Sequence, residues 1–249
     1  MALNDYRVAL VTGASSGIGA AATTALAEHG LTVHALARRA DRLAALAEGH
    51  SVVPHALDAT DDSAVAALLA GIEPDVVVLN AGTSKAGALH ELSAADVDGQ
   101  LALNVGAVLK TLQRVLPGLI ARNRGHIVLI GSVAGVYPLA HSTLYAATKA
   151  AIHTAALSLR AELAKTRIRV TEILPGRVRT EIHGRSLGDP EEARRRLFDG
   201  FETLEPEDIA EAIVYAVGAP QRVNVGVIEI SPTHQAYGGN IFAPSASQP

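Results

Sequence analysis

The chain contains no cysteine, which excludes disulfide bonds, a thiol nucleophile and a zinc site built on cysteine. It has no surplus of basic residues, since its net charge is −4 and its pI is about 6.2, and so it carries no electrostatic footprint for nucleic acid. No apolar run is long enough to span a membrane, and the N-terminus lacks the basic-then-apolar layout of a signal peptide. We therefore expect a cytoplasmic protein whose partners include neither nucleic acid nor a membrane.

Apolar residues, in contrast, are abundant. They make up 49% of the 249 residues against 18% charged residues, which indicates a globular chain with a core of good size. Short apolar runs alternate with helical stretches, which predicts an α/β fold with a doubly wound parallel sheet of about seven strands and helices on both faces. The predicted strands are 8–11, 31–37, 52–57, 75–79, 125–131, 168–174 and 224–230. The predicted helices are 20–29, 41–48, 62–70, 94–121, 145–164 and 205–217.

No linker or internal repeat interrupts this alternation, so residues 1–249 are interpreted as one domain. Residues 181–204 form the least regular stretch, and we expect them to act as a lid that carries substrate specificity. The arginine run 194–196 within the lid is interpreted as a solvated helix face. Residues 231–249 are expected to form an irregular tail. The ten histidines show no metal-ligand spacing with a third ligand nearby, and we expect no metal site.

Three glycines follow the first predicted strand, and a helical stretch follows them at once. Gly13 allows a tight turn, Gly17 lets the backbone approach a pyrophosphate, and Gly19 lets the helix pack close to the strand. A diphosphate would then lie on the free N–H groups at the helix start. The pattern indicates a Rossmann-type dinucleotide site, and the alternative is an ordinary glycine-rich loop. The residues expected at this site are Gly13, Ser15, Ser16, Gly17, Ile18 and Gly19.

The end of the second predicted strand indicates which dinucleotide is preferred. In NAD-binding folds an acidic residue at this point bonds the ribose 2′-hydroxyl, whereas this chain has Ala37 followed by Arg38 and Arg39. Two guanidinium groups can bind a 2′-phosphate through paired hydrogen bonds. We therefore expect NADP(H) as the cofactor in preference to NAD. The alternative is that both arginines are simply solvated.

A tyrosine and a lysine stand four residues apart in the predicted helix 145–164, so their side chains share one face. The phenol of Tyr145 has an ordinary pKa of about 10. The ammonium group of Lys149, together with the positive charge of an oxidised nicotinamide, is expected to lower that pKa. Such a pair alone is common by chance. Ser132, which ends a strand 13 residues earlier, adds a hydroxyl that can hold a substrate oxygen.

Together, these motifs resemble those of the short-chain dehydrogenase/reductase family. Residues 12–19 look like the family's cofactor loop, and its catalytic tetrad is matched in type, order and spacing by Asn104, Ser132, Tyr145 and Lys149. The resemblance implies that Tyr145 is the general acid in carbonyl reduction and the general base in alcohol oxidation. It implies that Lys149 lowers the pKa of Tyr145 and bonds the nicotinamide ribose. Ser132 would polarise the carbonyl, and Asn104 would support a water leading to Lys149.

The resemblance extends from about residue 7 to about residue 232. Asp58, at the end of the third predicted strand, matches an aspartate beside the adenine, and Thr180 matches a hydroxyl that contacts the carboxamide. Leu79 departs from the family's usual second asparagine, but the matched Asn80 remains. Further residues that the resemblance assigns to the cofactor are Ala81, Gly82, Pro175, Gly176 and Val178.

The function implied is that of an NADP(H)-dependent oxidoreductase, which transfers a hydride between the nicotinamide and a ketone, an aldehyde or a 3-hydroxy acid. The C-terminal part looks like the branch that contains bacterial 3-hydroxy acid and serine dehydrogenases and the clavulanate-pathway aldehyde reductase. One alternative is an NADP-binding regulator without chemistry, which would be expected to have lost Tyr145 or Lys149. Another is a sugar-nucleotide epimerase or dehydratase, which would need a longer C-terminal substrate domain.

Two further expectations concern the substrate and the assembly. Arg177 and Arg185 lie near the predicted chemistry and are expected to pair with a substrate carboxylate. The predicted helix 145–164 is alanine-rich on several faces, which permits the close approach of a partner helix. The resemblance implies a homotetramer, or failing that a homodimer. The alternative is that this helix is buried wholly within one subunit.

Overall fold

The computed structural model describes residue 3 and residues 6–137 and 140–235, and within them seven parallel strands form one sheet. The strands lie in the order β3-β2-β1-β4-β5-β6-β7. The predicted α/β fold with a doubly wound sheet is confirmed. The bounds of the strands are β1 Val8–Thr12, β2 Thr32–Ala37, β3 Val52–Ala56, β4 Val76–Leu79, β5 Gly125–Ile130, β6 Ile168–Pro175 and β7 Val227–Ile230.

The helices alternate with these strands, and none in the described residues is long and apolar enough to cross a bilayer. Two 3₁₀ turns, at Leu89–Glu91 and Val133–Gly135, and a π-helical segment at Ala102–Ala107 supplement them. The α-helices are α1 Gly17–Glu28, α2 Ala40–Ala47, α3 Asp62–Ala70, α4 Ala94–Leu101, α5 Val108–Arg122, α6 Thr143–Glu162, α7 Glu181–Leu187, α8 Pro190–Leu197 and α9 Pro206–Gly218.

Helices cover both faces of the sheet, which explains why its central strands are buried along their length. Strands β4, β5 and β6 are buried at every residue. On one face, α1 and α9 pack against the sheet through side chains such as Leu26 and Ile213. On the other face, α5 and α6 do so through side chains such as Leu119 and Ile152. The core therefore consists of two apolar layers separated by the sheet.

The direction of strand addition reverses at β1, which pairs with β2 on one side and with β4 on the other. At such a reversal the loops after neighbouring strands diverge and leave a crevice at the carboxyl ends. The loops after β1 and β4 face each other across this crevice. The topology therefore positions the glycine-rich turn and the strand ends that carry the predicted site residues.

Close packing fixes the start of α1 against the end of β1. A Cβ atom at Gly19 would clash with the carbonyl oxygen of Gly13 and would lie 2.5 Å from the Nδ2 atom of Asn80. Gly13 itself has φ +69°, a left-handed conformation that glycine adopts without strain. The helix ends at Glu28, and the expected glycine follows the C-cap His29 at Gly30, whose φ is +91°. The sequence therefore requires glycine at both positions 13 and 19 for different steric reasons.

Two stretches differ from the sequence prediction. The helix predicted over 94–121 is divided by the π-helical segment Ala102–Ala107 into α4 and α5. The stretch 181–204, interpreted as the least regular of the chain, contains the two helices α7 and α8. The arginine run 194–196 lies on α8, where the side chains of Arg194 and Arg196 are exposed, so its interpretation as a solvated helix face is confirmed. Asp189 caps α8 by accepting hydrogen bonds from the backbone N–H groups of Glu191 and Glu192. Aspartate before proline and two acidic residues is a helix-start signal that was present in the sequence.

The last strand begins three residues later than predicted, at Val227. Asn224 explains the difference, because its side chain takes the place of strand backbone. Its Oδ1 atom accepts a hydrogen bond of 2.8 Å from the N–H of Val170, and its Nδ2 atom donates to the carbonyl of Val170 at 3.2 Å. Of the predicted tail 231–249, residues 236–249 lie outside the described residues.

Candidate active site

A cavity of about 880 Å³ opens at the carboxyl ends of the strands. Its lining includes the loops after β1 to β6 together with residues of α6 and α7. All the predicted site residues line this cavity except Gly19 and Asn104. Gly19 packs against Gly13, and Asn104 packs against Gly82, so each is in contact with the lining. The structure therefore brings the predicted residues together.

The glycine-rich turn forms the wall at the end of β1. Gly17 has φ +52°, and a Cβ atom there would lie 2.9 Å from the Cγ2 atom of Thr180. Ser16 is the residue before α1, and its side chain makes no capping hydrogen bond within the described structure. The first N–H groups of α1 are therefore not satisfied by a cap and face an anion-binding position.

Asn80 ties the loop after β4 to the glycine turn. Its Nδ2 atom donates to the carbonyl oxygens of Thr12 at 3.1 Å and of Gly13 at 3.3 Å. The hydroxyl of Thr12 in turn accepts from the backbone N–H groups of Asn80 and Ala81, each at 3.1 Å. This reciprocal pairing holds two walls of the cavity at a fixed separation. Sequence analysis assigned Asn80 but missed Thr12, its hydrogen-bond partner.

The two arginines after β2 behave differently. Arg39 donates from Nε to the hydroxyl of Ser15 at 3.1 Å and from Nη2 to the hydroxyl of Ser16 at 2.6 Å. Arg38 is 74% exposed and lies 3.8 Å from the carboxylate of Asp58. Hydrogen bonds from the backbone and hydroxyl of Thr60 hold the pKa of Asp58 below its usual value. Arg39 is thus fixed against the glycine turn, whereas Arg38 extends into solvent.

One carboxylate that was not predicted from the sequence accepts hydrogen bonds from three guanidinium groups. Glu181, the first residue of α7, accepts hydrogen bonds from Arg39, Arg42 and Arg185. Burial acts to raise its pKa, but these hydrogen bonds lower the pKa of Glu181 to about 2. We call these four residues the Glu181 cluster. The four-residue spacing of Glu181 and Arg185 could have predicted their ion pair on one helix. The contacts of Glu181 with Arg39 and Arg42 depend on the tertiary fold and could not be predicted in this way.

The tyrosine, the serine and the lysine meet at the end of β5. The Ser132 hydroxyl acts to lower the pKa of Tyr145 and accepts a hydrogen bond of 3.1 Å from the N–H of Ala134. The ammonium group of Lys149 donates to the carbonyl oxygen of Ile130 at 2.7 Å and lies 5.8 Å from the centre of the Tyr145 ring. Lys149 is therefore anchored to the end of β5, and Ser132 follows that end by two residues.

Burial governs the charge states in this group. It raises the pKa of Tyr145 above its ordinary value of 10, and the hydrogen bond from Ser132 only partly opposes it. Burial also lowers the pKa of Lys149 to about 8, against the attraction of Glu172. The lowered pKa expected for Tyr145 is therefore not found in the chain by itself. Without cofactor the phenol keeps its proton at neutral pH, as a proton donor requires.

Asn104 lies in the π-helical segment, not in the regular helix that was predicted. Its Oδ1 atom accepts from the N–H of Thr83, and its Nδ2 atom donates to the Thr83 carbonyl, both at 2.8 Å. Nδ2 also donates to the Thr148 hydroxyl at 3.1 Å. Asn104 therefore fixes the backbone at Thr83, directly after Gly82. A Cβ atom at Gly82 would lie 3.4 Å from Oδ1 of Asn104 and 3.9 Å from Nζ of Lys149.

The two predicted substrate arginines have different surroundings. Arg177 is half-buried in the cavity wall, where burial lowers its pKa to about 10, and its Nη1 atom donates to the carbonyl of Leu197. Arg185 is exposed and is bound to Glu181. Gln235, which sequence analysis missed, accepts a hydrogen bond of 2.8 Å from the backbone N–H of Arg177. The wall around Pro175, Gly176, Val178 and Thr180 is thus closed by a residue from beyond β7.

The sequence is similar to a family of dehydrogenases over most of its length. A family model described as short chain dehydrogenase matches residues 7–190. An uncharacterized short-chain type dehydrogenase/reductase, y4eK of Sinorhizobium fredii, is 44% identical over 95% of this chain and 96% of its own length. The NADP-dependent 3-hydroxy acid dehydrogenase YdfG of Salmonella typhimurium is 36% identical over 93% of this chain and 97% of its own.

A solved structure is similar over nearly the whole chain. The closed form of serine dehydrogenase complexed with NADP+ superposes with a TM-score of 0.90 at 32% identity, over 96% of this chain and 100% of that chain. The structure of serine dehydrogenase from Escherichia coli gives a TM-score of 0.80 at 33% identity, over 92% of this chain and 100% of that chain. The predicted family is confirmed: the chain belongs to the short chain dehydrogenase family.

Proposed function

We propose that the protein is an NADP(H)-dependent oxidoreductase that transfers a hydride between the nicotinamide and a carbonyl or secondary-alcohol carbon. The observation that carries this proposal is the meeting of Ser132, Tyr145 and Lys149 in one cavity that also contains Arg38 and Arg39. The NADP dependence of YdfG and the NADP+ complex of serine dehydrogenase support the same reaction class and cofactor.

The residues of the cavity fit this cofactor. The uncapped start of α1 offers backbone donors to a diphosphate, and the missing side chain at Gly17 leaves room for its approach. Arg39 and the hydroxyls of Ser15 and Ser16 form a cluster of donors suited to a 2′-phosphate. Bound NADP(H) would supply the hydride, and the chain supplies binding, orientation and the proton.

The chain's own groups account for the proton transfer. Tyr145 donates the phenolic proton to the substrate oxygen in reduction and accepts it in oxidation. Ser132, which lines the same cavity as Tyr145, holds the same oxygen. Lys149, anchored at Ile130, brings a positive charge beside the phenol that favours the phenolate form. The roles of these residues, and of Asn104 as a support for the loop beside Lys149, are part of the proposal.

The substrate is proposed to carry a carboxylate that binds Arg177. This guanidinium is half-buried in the cavity wall, and burial disfavours its charged form, so an anionic ligand would stabilise it. The named activities of YdfG and of serine dehydrogenase, which act on hydroxy acids, support this choice. Arg185 is a weaker candidate than the sequence suggested, because the Glu181 carboxylate already binds it.

Assembly as a homotetramer, or as a homodimer, is also proposed. Large apolar side chains are exposed on α5 and α6, at Leu109, Ile120 and Leu157. Exposed apolar surface on neighbouring helices is typical of subunit contacts. We also propose a cytoplasmic location for the protein.

Cofactor preference tests the arginine site. We expect wild type to bind NADPH more tightly than NADH, and Arg39→Gln to weaken NADPH binding about tenfold or more with little effect on NADH. Changing Ala37→Asp together with Arg38→Gln should reverse the preference, because a carboxylate would repel the 2′-phosphate. Fluorescence titration measures both constants. Arg222→Gln, at an exposed site before β7, is the matched control. Equal affinity of wild type for both cofactors would contradict the assignment.

Proton transfer is tested by Tyr145→Phe, which removes one hydroxyl and keeps the ring. We expect kcat to fall about a hundredfold to ten-thousandfold while NADPH affinity stays unchanged. Lys149→Ala should lower kcat and also weaken NADPH binding. Because burial raises the pKa of Tyr145, the oxidation rate of wild type should rise with pH in the alkaline range, and Tyr145→Phe should lose that rise. Tyr215→Phe, exposed on α9, is the control. Near-normal turnover in Tyr145→Phe would exclude this mechanism.

Substrate charge is tested by comparing hydroxy acids with their methyl esters. Wild type should prefer the acids, and Arg177→Gln should raise KM for the acids about tenfold to a hundredfold while leaving the esters unaffected. Arg196→Gln, exposed on the lid helix α8, should change neither. Equal kcat/KM of wild type for an acid and its ester would show that Arg177 recognises no carboxylate.

The oligomeric state is measured by light scattering at micromolar concentration. We expect a mass of about four 25.7 kDa subunits, or of two for the dimer. Leu157→Glu should shift the population towards smaller species, since it would bury a charge in a helix contact. Leu89→Glu, which changes another exposed apolar residue outside α5 and α6, should leave the mass unchanged. A monomeric wild type would refute the proposal.

A further inference from the structure

A carboxylate and an imidazole lie together beneath α6, one helical turn beyond Lys149. Glu172 of β6 is fully buried, with 0% of its surface exposed. Its Oε2 atom accepts a hydrogen bond of 2.7 Å from Nδ1 of His153. His153 follows Lys149 by four residues on α6, so the two side chains lie on the same side of the helix. Nothing in the proton-transfer scheme above uses this pair.

The other carboxylate oxygen of Glu172 points towards the site. Oε1 is buried and has no hydrogen-bond partner among the described residues. It lies against Gly131, where an added Cβ atom would be 2.5 Å away. Gly131 directly follows Ile130, whose carbonyl oxygen binds the ammonium group of Lys149. The carboxylate and the ammonium group therefore contact two consecutive residues at the end of β5.

Three elements contribute polar groups next to Lys149. Within the described structure, β5 contributes a backbone carbonyl, α6 contributes Tyr145 and β6 contributes Glu172. Burial lowers the pKa of Lys149 to about 8, and the attraction of Glu172 opposes that fall. Burial raises the pKa of Glu172, and His153, Arg160 and Lys149 each oppose that rise. The charges of Glu172 and Lys149 therefore support each other in a place where neither is solvated.

We propose that Glu172, held by His153, is a positioning residue that keeps Lys149 protonated and thereby sets the alkaline limit of the reaction. The inference rests on the proposed role of Lys149. An ionised carboxylate behind the ammonium group stabilises its charge before any cofactor binds. His153 is 28% exposed at its side chain, so the hydrogen bond that holds Glu172 extends to the edge of the protein. Glu172 acts through Lys149 and does not touch the substrate.

The sign of the effect follows from the charge removed. Glu172→Gln keeps the shape of the side chain but removes its negative charge, so the protonated form of Lys149 loses its counter-charge. The pKa of Lys149 should fall by roughly one unit below its value in wild type. As the pH is raised, activity that needs the ammonium group would then be lost at a lower pH in Glu172→Gln than in wild type. Glu172→Asp keeps the charge and should retain most of the wild-type profile.

The direct test is NMR of the cofactor-free protein labelled in its lysine side chains. The chain has only four lysines, so the Lys149 signal is identified by its absence in Lys149→Ala. We expect the titration midpoint of this signal to fall in Glu172→Gln, to fall less in His153→Gln and to stay unchanged in Glu229→Gln. Glu229 is an exposed carboxylate on the neighbouring strand β7. An unchanged midpoint in both Glu172→Gln and His153→Gln would overturn the inference.

The second measurement is the pH profile of kcat/KM for carbonyl reduction. We expect the loss of activity at alkaline pH to move about one unit lower in Glu172→Gln, with restoration in Glu172→Asp. A purely structural role would lower activity equally at every pH. If the NMR midpoint falls and the profile does not move, the coupling stands and the proposed role of Lys149 is wrong. If Glu172→Gln fails to fold, His153→Gln supplies both measurements.

Discussion

No side chain fits at Gly19, and the position of the cavity depends on this constraint. The first turn of α1 lies against the carbonyl of Gly13, so the helix begins directly at the end of β1. Asn80 reaches the same carbonyl from the loop after β4. Because both elements are fixed to one turn, the unsatisfied N–H groups of α1 and the walls of the crevice have a defined separation. A larger residue at this point would separate the helix from the sheet.

The cavity joins two kinds of chemistry that are held by different strands. Near β2, fixed positive charges and hydroxyls are suited to phosphate groups. Near β5, the hydroxyls of Ser132 and Tyr145 and the ammonium of Lys149 are suited to proton transfer. Burial favours the neutral form of both ionisable groups, since it raises the pKa of Tyr145 and lowers the pKa of Lys149. The site therefore needs counter-charges from outside the residues that contact substrate.

Much of the fold and the centre of the site could be predicted because they depend on local patterns. Strands such as β1 and β4 are short apolar runs, the glycine turn follows β1 directly, and Tyr145 and Lys149 are one helical turn apart. Glu181 and Glu172 could not be found in this way. Glu181 binds Arg39 across 142 residues of sequence, and Glu172 binds His153 only because β6 packs beneath α6. The raised pKa of Tyr145 could not be predicted for the same reason. The spacing of the sequence shows that Lys149 is its neighbour, but the burial that raises the pKa depends on the tertiary fold.

The Glu181 cluster also determines how charge is balanced around the glycine turn. Three guanidinium groups share one carboxylate, which leaves an excess of two positive charges between α2 and α7. A phosphate monoester carries about −1.5 to −2 at neutral pH, which is close to this excess. A dinucleotide with a 2′-phosphate would therefore make the region nearly electroneutral, whereas one without it would leave the repulsion among the arginines in place. Because Glu181 and Arg185 both belong to α7, the segment 181–204 itself contributes two of the four charges in this balance.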